Sequence, residues 1–273
     1  MNRPTHPSHR LELADVEAAL VALRVPAPAG LAPATLREVG LADGFAEIPS
    51  PIGDLIVAWN GLGASWIELA VNRDGFLERH RRSVGRPLEP APLPPRLARQ
   101  IARRFAGDRR VRVPVDLRSR SEFERAVLRK ALEIPRGQVR PYGWVAAEIG
   151  RPRAVRAVGT ALAHNPVPLL VPCHRVVRSD GLLGQYSLGG PERKRQILAL
   201  EGLDPDGMEA MARTGTRYIG SDTTRIYCLP SCHHARRVTD RHRVPLRSTS
   251  EGRAIGYRAC KVCRPDSGAS IAA

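Results

Sequence analysis

The sequence predicts three units in series: an α/β unit made of a small sheet with helices, a mostly helical unit built around a helix-turn-helix, and a small four-cysteine module. Three observations predict it. Apolar stretches on either side of Asn60-Gly61 read as paired strands, capped helical periodicity dominates residues 119–203, and four of the five cysteines fall in two close pairs after residue 227. A chain of 273 residues has room for these units. The expected boundaries are a helical extension over 1–46, the α/β unit over 47–118, the helical unit over 119–204, a linker over 205–216, the cysteine module over 217–266 and a tail over 267–273.

Residues 11–23 carry apolar and acidic positions at helical period, and a Pro/Ala/Gly-rich loop at 25–34 leads to a short helix near 35–41. From residue 47, two strands meet at Asn60-Gly61, a pair that tolerates the positive φ of a type I′ turn. Helices over 73–82 and 96–105 and a strand over 110–117 complete the first unit. In the second, Ser121 and Glu124 form a capping box, and Phe123, Val127, Leu128 and Ala131 supply a buried stripe. Helices over 142–149 and 154–164 follow, separated by Gly150 as left-handed terminator and by the turn Arg151-Pro152-Arg153. Two short helices joined tightly in a basic context form a helix-turn-helix candidate. Val155, Val158 and Leu162 share one face of the later helix, and Arg156, Gly159, Thr160 and Ala163 share another. That second face is small except for Arg156. It reads equally as a surface lying close to a nucleic-acid backbone or as a close helix–helix contact.

Lys and Arg number 43 against 27 Asp and Glu, a net charge of +16 that makes a polyanion the expected partner. No apolar run of about 18 residues could span a bilayer, and residues 1–10 do not open a signal peptide, so a cytoplasmic monomer with no membrane partner is expected. An odd cysteine count in that setting argues against a disulfide framework. It points to one reactive thiol and one metal site. Cys173 stands alone in VPCHRV beside His174, and a thiol needs a base in reach to become a nucleophile. On spacing alone, a buried small residue is the commoner reading of such a cysteine.

The stretch from Ile134 to Gly202 closely resembles the O6-alkylguanine-DNA alkyltransferase family, in IPRGQVRPYGWVAAEIG, VRAVGTALAHNPVPLLVPCHRVV, GLLGQYSLGGPERK and ALEG. With SPIGDLIVAWN added, the resemblance spans roughly residues 47–203. It implies DNA repair: one-step, stoichiometric transfer of an alkyl group from O6-alkylguanine onto Cys173, which consumes the protein. His174, polarised by Glu201, would remove the thiol proton through a water, Asn165 would brace the loop, and Tyr142 would lie against the flipped nucleotide. The Val176 carbonyl, Tyr186 and Ser187 would complete the pocket. The helix-turn-helix would enter the minor groove with Arg156 filling the vacated place in the stack. Gly159, Thr160 and Ala163 would follow the backbone, with phosphate contacts carrying most of the affinity. Pro141 stands where relatives often have Ser.

Cys228-x3-Cys232 and Cys260-x2-Cys263 give two thiol pairs spaced for one metal ion, and four thiolates select Zn²⁺ among common metals. Two disulfides are the alternative, and His233, His234 and His242 stand near enough in sequence to substitute a ligand. Such a small four-cysteine zinc module could hardly fold without its metal, and chelation is expected to unfold 217–266 while leaving the alkyltransferase unit working. TTRIYCLPSC and GYRACKVCRPD also resemble the metal-binding domain of Ada DNA-repair regulators over about 217–266. That resemblance implies a second acceptor, Cys228, for methylphosphotriesters in double-stranded DNA. The rival reading is a zinc-dependent DNA-binding alkylation sensor or regulator whose zinc module is only structural.

Overall fold

The computed structural model describes residues 13–22 and 30–267. The leader reading at 1–10, residues 25–29 of the expected 25–34 loop and nearly all of the tail lie outside the described residues, and the rest of that loop is not a loop, since a helix starts at Leu31 in place of residue 35. Helices α1 (Leu13–Ala22) and α2 (Leu31–Glu38) precede a four-stranded sheet of β1 (Asp43–Ile48), β2 (Leu55–Asn60), β3 (Gly63–Leu69) and, beyond helix α3 (Arg73–Val84), β4 (Leu88–Pro90). Its order is β3-β2-β1-β4, antiparallel except for the β1–β4 pair. Helix α4 (Pro95–Phe105) covers it. Every residue of β2 is buried because the sheet is covered on both faces. Leu55, Val57 and Trp59 point to the main core with Leu97 and Ile101, whereas Ile56 and Ala58 pack on Phe45 and Phe76.

Three expectations fail here for local reasons. The strand hydrogen bonds close at Asn60 and Gly63, so the loop is Gly61-Leu62 and not Asn60-Gly61, and the positive φ falls on Gly63 at 129°. A side chain there would run into the Pro114 backbone, 2.3 Å from its carbonyl oxygen. Residues 110–117 are not a strand: Pro114 cannot donate, and only a single bridge joins Val115 to Ala64. The sheet also starts earlier than residue 47.

Its first strand begins with Asp43, wholly buried, which accepts from His80 Nε2 at 2.8 Å, Asn60 Nδ2 at 2.7 Å, Ser65 Oγ at 2.9 Å and Arg86 Nη2 at 3.1 Å. Asp116 joins the network through Asn60, Arg86 and Arg118. Burial alone would raise both carboxyls. Hydrogen bonds from His80 and Arg86 overcome it at Asp43, and those from Arg118 and Asn60 bring Asp116 from 3.8 down to about 2. Folded values below the unfolded ones mean that this stabilisation is complete above about pH 4 and is lost as pH falls towards 2. Asp43→Ala takes from buried His80 and Ser65 their acceptor and leaves Arg86 with Asp116 alone, and is expected to cost about 3–5 kcal/mol, read as a lowered melting temperature at neutral pH.

Helix α5 (Glu122–Leu132) carries the expected capping box, Ser121 Oγ accepting from Glu124 N while the Glu124 carboxylate accepts from Ser121 N. Helix α6 (Tyr142–Glu148) ends before Gly150 at φ 71°, and α7 (Val155–Ala163) ends before Asn165-Pro166. The segment is less helical than its periodicity suggests. Residues 164–189 form a long loop containing a 3-10 turn at Cys173–Arg175, held by two short parallel strands, β5 (Arg140–Pro141) and β6 (Val176–Val177). Helix α8 (Gly190–Leu200) follows.

The expected linker at 205–216 is instead mostly helix α9 (Pro205–Arg213), capped by Asp204, which accepts from Gly207 N. Asp-Pro followed by Met208, Met211 and Ala212 carried that signal. The last unit pairs β7 (Tyr218–Ser221), β8 (Ile226–Cys228), β9 (Arg243–Leu246) and, after α10 (Thr249–Ala254), β10 (Arg258–Ala259), in the order β10-β8-β7-β9. It has two buried clusters, one of the four cysteines with Ile219, Leu229 and Ala235 and one of Tyr227, Leu246 and Tyr257. No described helix is long and apolar enough to cross a membrane.

Candidate functional site

The loop ahead of Cys173 is tied to the sheet, because Ile67 N of β3 donates to the Pro166 carbonyl at 2.7 Å. Asn165 then organises it: Oδ1 accepts from Val167 N, and Nδ2 donates to the Val171 carbonyl at 2.9 Å and to Cys173 Sγ at 3.1 Å. Leu169 takes φ 72°, a conformation costly for a side-chain-bearing residue, in the middle of this loop. The result holds Cys173 at the start of the 3-10 turn, 6% exposed. Burial pushes its thiol up, while the Asn165 bond and the charge of Lys194 pull it back.

His174 is buried, and its Nε2 lies 3.2 Å from Glu201 Oε1. Burial would raise the Glu201 carboxyl, but hydrogen bonds from His174 and Arg175, with the Arg175 charge, hold it well below the usual carboxylate range. An ionised Glu201 only accepts, so the histidine proton sits on Nε2. Burial also lowers the imidazole pKa, which keeps His174 neutral and leaves Nδ1 as a lone-pair base with no protein hydrogen bond. The thiol and imidazole share no direct side-chain hydrogen bond among the described residues. Tyr186 stands edge-on to His174 with centroids 6.1 Å apart, and its buried hydroxyl has no protein partner.

Two residues without an assigned role in the sequence reading join this cluster. Arg175 clamps Glu201, Nη2 to Oε1 at 2.6 Å and Nε to Oε2 at 2.9 Å, and holds the turn after α5 through the Ile134 carbonyl at 2.7 Å. Lys194, fully buried, donates to the carbonyls of Val176 at 2.7 Å and Leu183 at 2.6 Å. Burial brings its pKa down to about 8, with the Cys173 charge opposing. The Val176 carbonyl therefore already holds one donor. Both residues lie inside the quoted CHRV and PERK segments, but nothing in their spacing shows what they would meet.

Tyr142 starts α6 half-buried, and its phenol is raised first by burial and then by Cys173. On α7, Arg156, Thr160 and Ala163 are exposed while Val158 and Leu162 are buried. A side chain at Gly159 would meet only the Tyr142 ring, at 4.0 Å. The small face is thus not a helix–helix contact. Ala163 and Asn165 line a groove of about 400 Å³ with Ser187, Gly189, Trp66 and Arg120; Cys173 itself does not line it.

The sulfurs of Cys228, Cys232, Cys260 and Cys263 lie within 4.8 Å of one another, all buried and none in a disulfide. Four converging thiols without hard oxygen donors fit Zn²⁺. The histidines do not join them: His233 and His234 stack together, exposed, with centroids 3.9 Å apart, and His242 pairs with Asp222 at 2.8 Å. Cys228 and Cys260 border a cleft of about 460 Å³ that also holds Arg237, Arg258, Lys261 and His234, whereas Cys232 and Cys263 do not.

Comparison with known proteins bears on both centres. The family model for the 6-O-methylguanine DNA methyltransferase DNA binding domain matches residues 122–203, and that for the metal binding domain of Ada matches residues 209–266. A methylated-DNA–protein-cysteine methyltransferase of Mycolicibacterium paratuberculosis is 48% identical over 163 residues, covering 58% of this chain and 91% of that protein. Its namesake in Salmonella typhimurium is 35% identical over 161 residues, covering 57% of this chain and 94% of that protein. A crystal structure of Mycobacterium tuberculosis OGT in complex with DNA aligns at 36% identity over 58% of this chain and 92% of that one, with a TM-score of 0.48.

Proposed function

Because the chain belongs to the methylated-DNA–protein-cysteine methyltransferase family, which repairs DNA by alkyl transfer, we propose that Cys173 is the acceptor for O6-alkylguanine in double-stranded DNA. The observation that carries this reading is the buried Asn165–Cys173 and His174–Glu201–Arg175 arrangement. A cysteine that served only as core packing would not need a neutral histidine held in one tautomer by an ionised carboxylate beside it.

The chemistry follows from those groups. The Cys173 proton passes to His174 Nδ1 through a water, and Glu201 steadies the imidazolium that forms. Sγ bonds to the alkyl carbon as the carbon–O6 bond breaks, and the electron pair goes to the guanine, where the Tyr142 phenol donates to the developing negative charge. Lys194 and the Asn165 amide favour the thiolate. The S–alkyl bond is not hydrolysed, so each chain acts once.

Reaching O6 requires the nucleotide to leave the duplex, at a cost of a few kcal/mol. Arg156 is the long, exposed side chain on the otherwise small α7 face, and it takes the vacated place. Arg156→Ala is expected to slow repair of duplex DNA by roughly 10- to 100-fold, the unstacking cost no longer being offset. Repair of a single-stranded oligonucleotide should hardly change. Single-turnover rates on the two substrates check this, and an equal loss on both would remove Arg156 from flipping.

The zinc module supports a second acceptor, Cys228, for methylphosphotriesters. A bound Zn²⁺ keeps the four thiols deprotonated at neutral pH. Cys228 shares its cleft with Arg237, Arg258 and Lys261, cations suited to a phosphate backbone. A duplex methylated only on its backbone phosphates tests it: one methyl on the Cys228 peptide is expected, and none would leave the module a metal-stabilised DNA contact.

A further inference from the structure

The Cys-x3-Cys and Cys-x2-Cys turns do more than surround a metal. Ser231, inside the first turn, is buried and bonded both ways to Val139: Val139 N donates to Oγ at 2.9 Å, and Oγ donates to the Val139 carbonyl at 3.2 Å. The carbonyl of Cys263, in the second turn, accepts from Trp144 Nε1 at 3.1 Å, also buried. The guanidinium carbons of Arg264 and Arg140 lie 5.5 and 5.4 Å from the Trp144 ring centroid. Glu148 accepts from Arg264 Nη2 at 2.7 Å and from Ser267 Oγ at 2.8 Å.

These contacts hold α6 just before its start, in its middle and at its end. The seven-residue helix is too short to hold its shape alone. It begins with Tyr142, and it packs on α7, which carries Arg156. Both turns sit in the module's cysteine cluster, whose other buried members are only Ile219, Leu229 and Ala235, while Tyr227, Leu246 and Tyr257 form a separate one, so the shape of both turns depends on the metal. Units that spacing alone reads as independent are therefore joined through their functional parts.

We propose that the two ligand turns of the zinc module buttress α6, with Trp144 as the positioning residue, so that metal loading at the four cysteines sets the DNA affinity of the Cys173 site. This rests on the alkyl-transfer reading for its biological sense, but the coupling itself is a property of the packing.

The test uses the full chain, zinc-loaded, chelator-treated and as Trp144→Phe, which keeps an aromatic ring but loses the N–H donor. Amide hydrogen exchange is followed in peptides covering 139–148, 217–266 and 55–69, with DNA affinity and the methyl-transfer rate at saturating DNA measured alongside. Chelation should expose 139–148 together with 217–266, leave 55–69 protected, and weaken DNA binding on the order of tenfold. Trp144→Phe, with zinc content unchanged, should loosen 139–148 and weaken DNA binding about fivefold, the size of one buried hydrogen bond, at an unchanged saturating rate.

Protection of 139–148 and DNA affinity that survive both treatments would overturn the proposal. If chelation unfolds the whole chain, the Trp144→Phe arm decides. Failure of Cys173 to gain a methyl in the zinc-loaded protein would instead overturn the repair reading, while the exchange result would still report the coupling.

Discussion

Cys173→Ala is expected to abolish repair of O6-methylguanine, to below detection in a single-turnover assay, with duplex affinity unchanged. In the proposed reaction Sγ forms the new bond, and among the described residues no other free thiol lies outside the zinc centre. No residue left in the cluster can replace it. Because Cys173 is only 6% exposed, whereas Arg156, Thr160 and Ala163 lie on the surface, its loss should not disturb phosphate contacts. Asn165 Nδ2 still donates to the Val171 carbonyl, so the loop survives, and the stability cost should stay near ~1 kcal/mol. Residual repair at the normal rate would mean that the acceptor lies elsewhere.

Glu201→Ala should be the most damaging change that leaves the nucleophile in place. The carboxylate is the only acidic partner of buried Arg175 and His174 among the described residues. Removing it strands a guanidinium in the interior, with an expected loss of about 3–5 kcal/mol in thermal or urea unfolding. It also frees the imidazole to change tautomer, for a rate loss of roughly 10²- to 10⁴-fold. Glu201→Gln separates the two effects: it keeps the volume and one acceptor, so it should recover part of the stability while the rate remains low. The carboxyl is depressed in the folded state, so its stabilisation is present above the ordinary carboxylate range and is lost on acidification. Cys173→Ala should unfold at the same low pH as the native chain, whereas Glu201→Ala should lose that part of the acid transition. Full activity in Glu201→Gln would show that the charge is not needed to orient His174.

Much of this site could be read in the sequence because its information is local. A Ser three residues before a Glu fixes the start of α5, Gly150 and Asn165-Pro166 bound the two helices of the helix-turn-helix, and the two cysteine pairs declare a metal. The polar cores were hidden. Asp43 and Asp116 look like surface residues until folding brings His80, Asn60 and Arg86 to them, across separations that no periodicity records. Arg175 and Lys194 are equally silent, since their work is to satisfy Glu201 and buried carbonyls contributed by distant segments. The alternating VRVPV at 111–115 misled in the opposite direction, because Pro114 has no N–H to donate and the run meets the β3 edge only at the Val115–Ala64 bridge.

The most direct test is peptide mass spectrometry of the full chain after reaction with duplex DNA carrying a single O6-methylguanine. The account predicts one added methyl on the peptide containing Cys173, restoration of the guanine, and no second turnover. Guanine restored while that peptide stays unmodified, or one chain clearing many lesions, would contradict it.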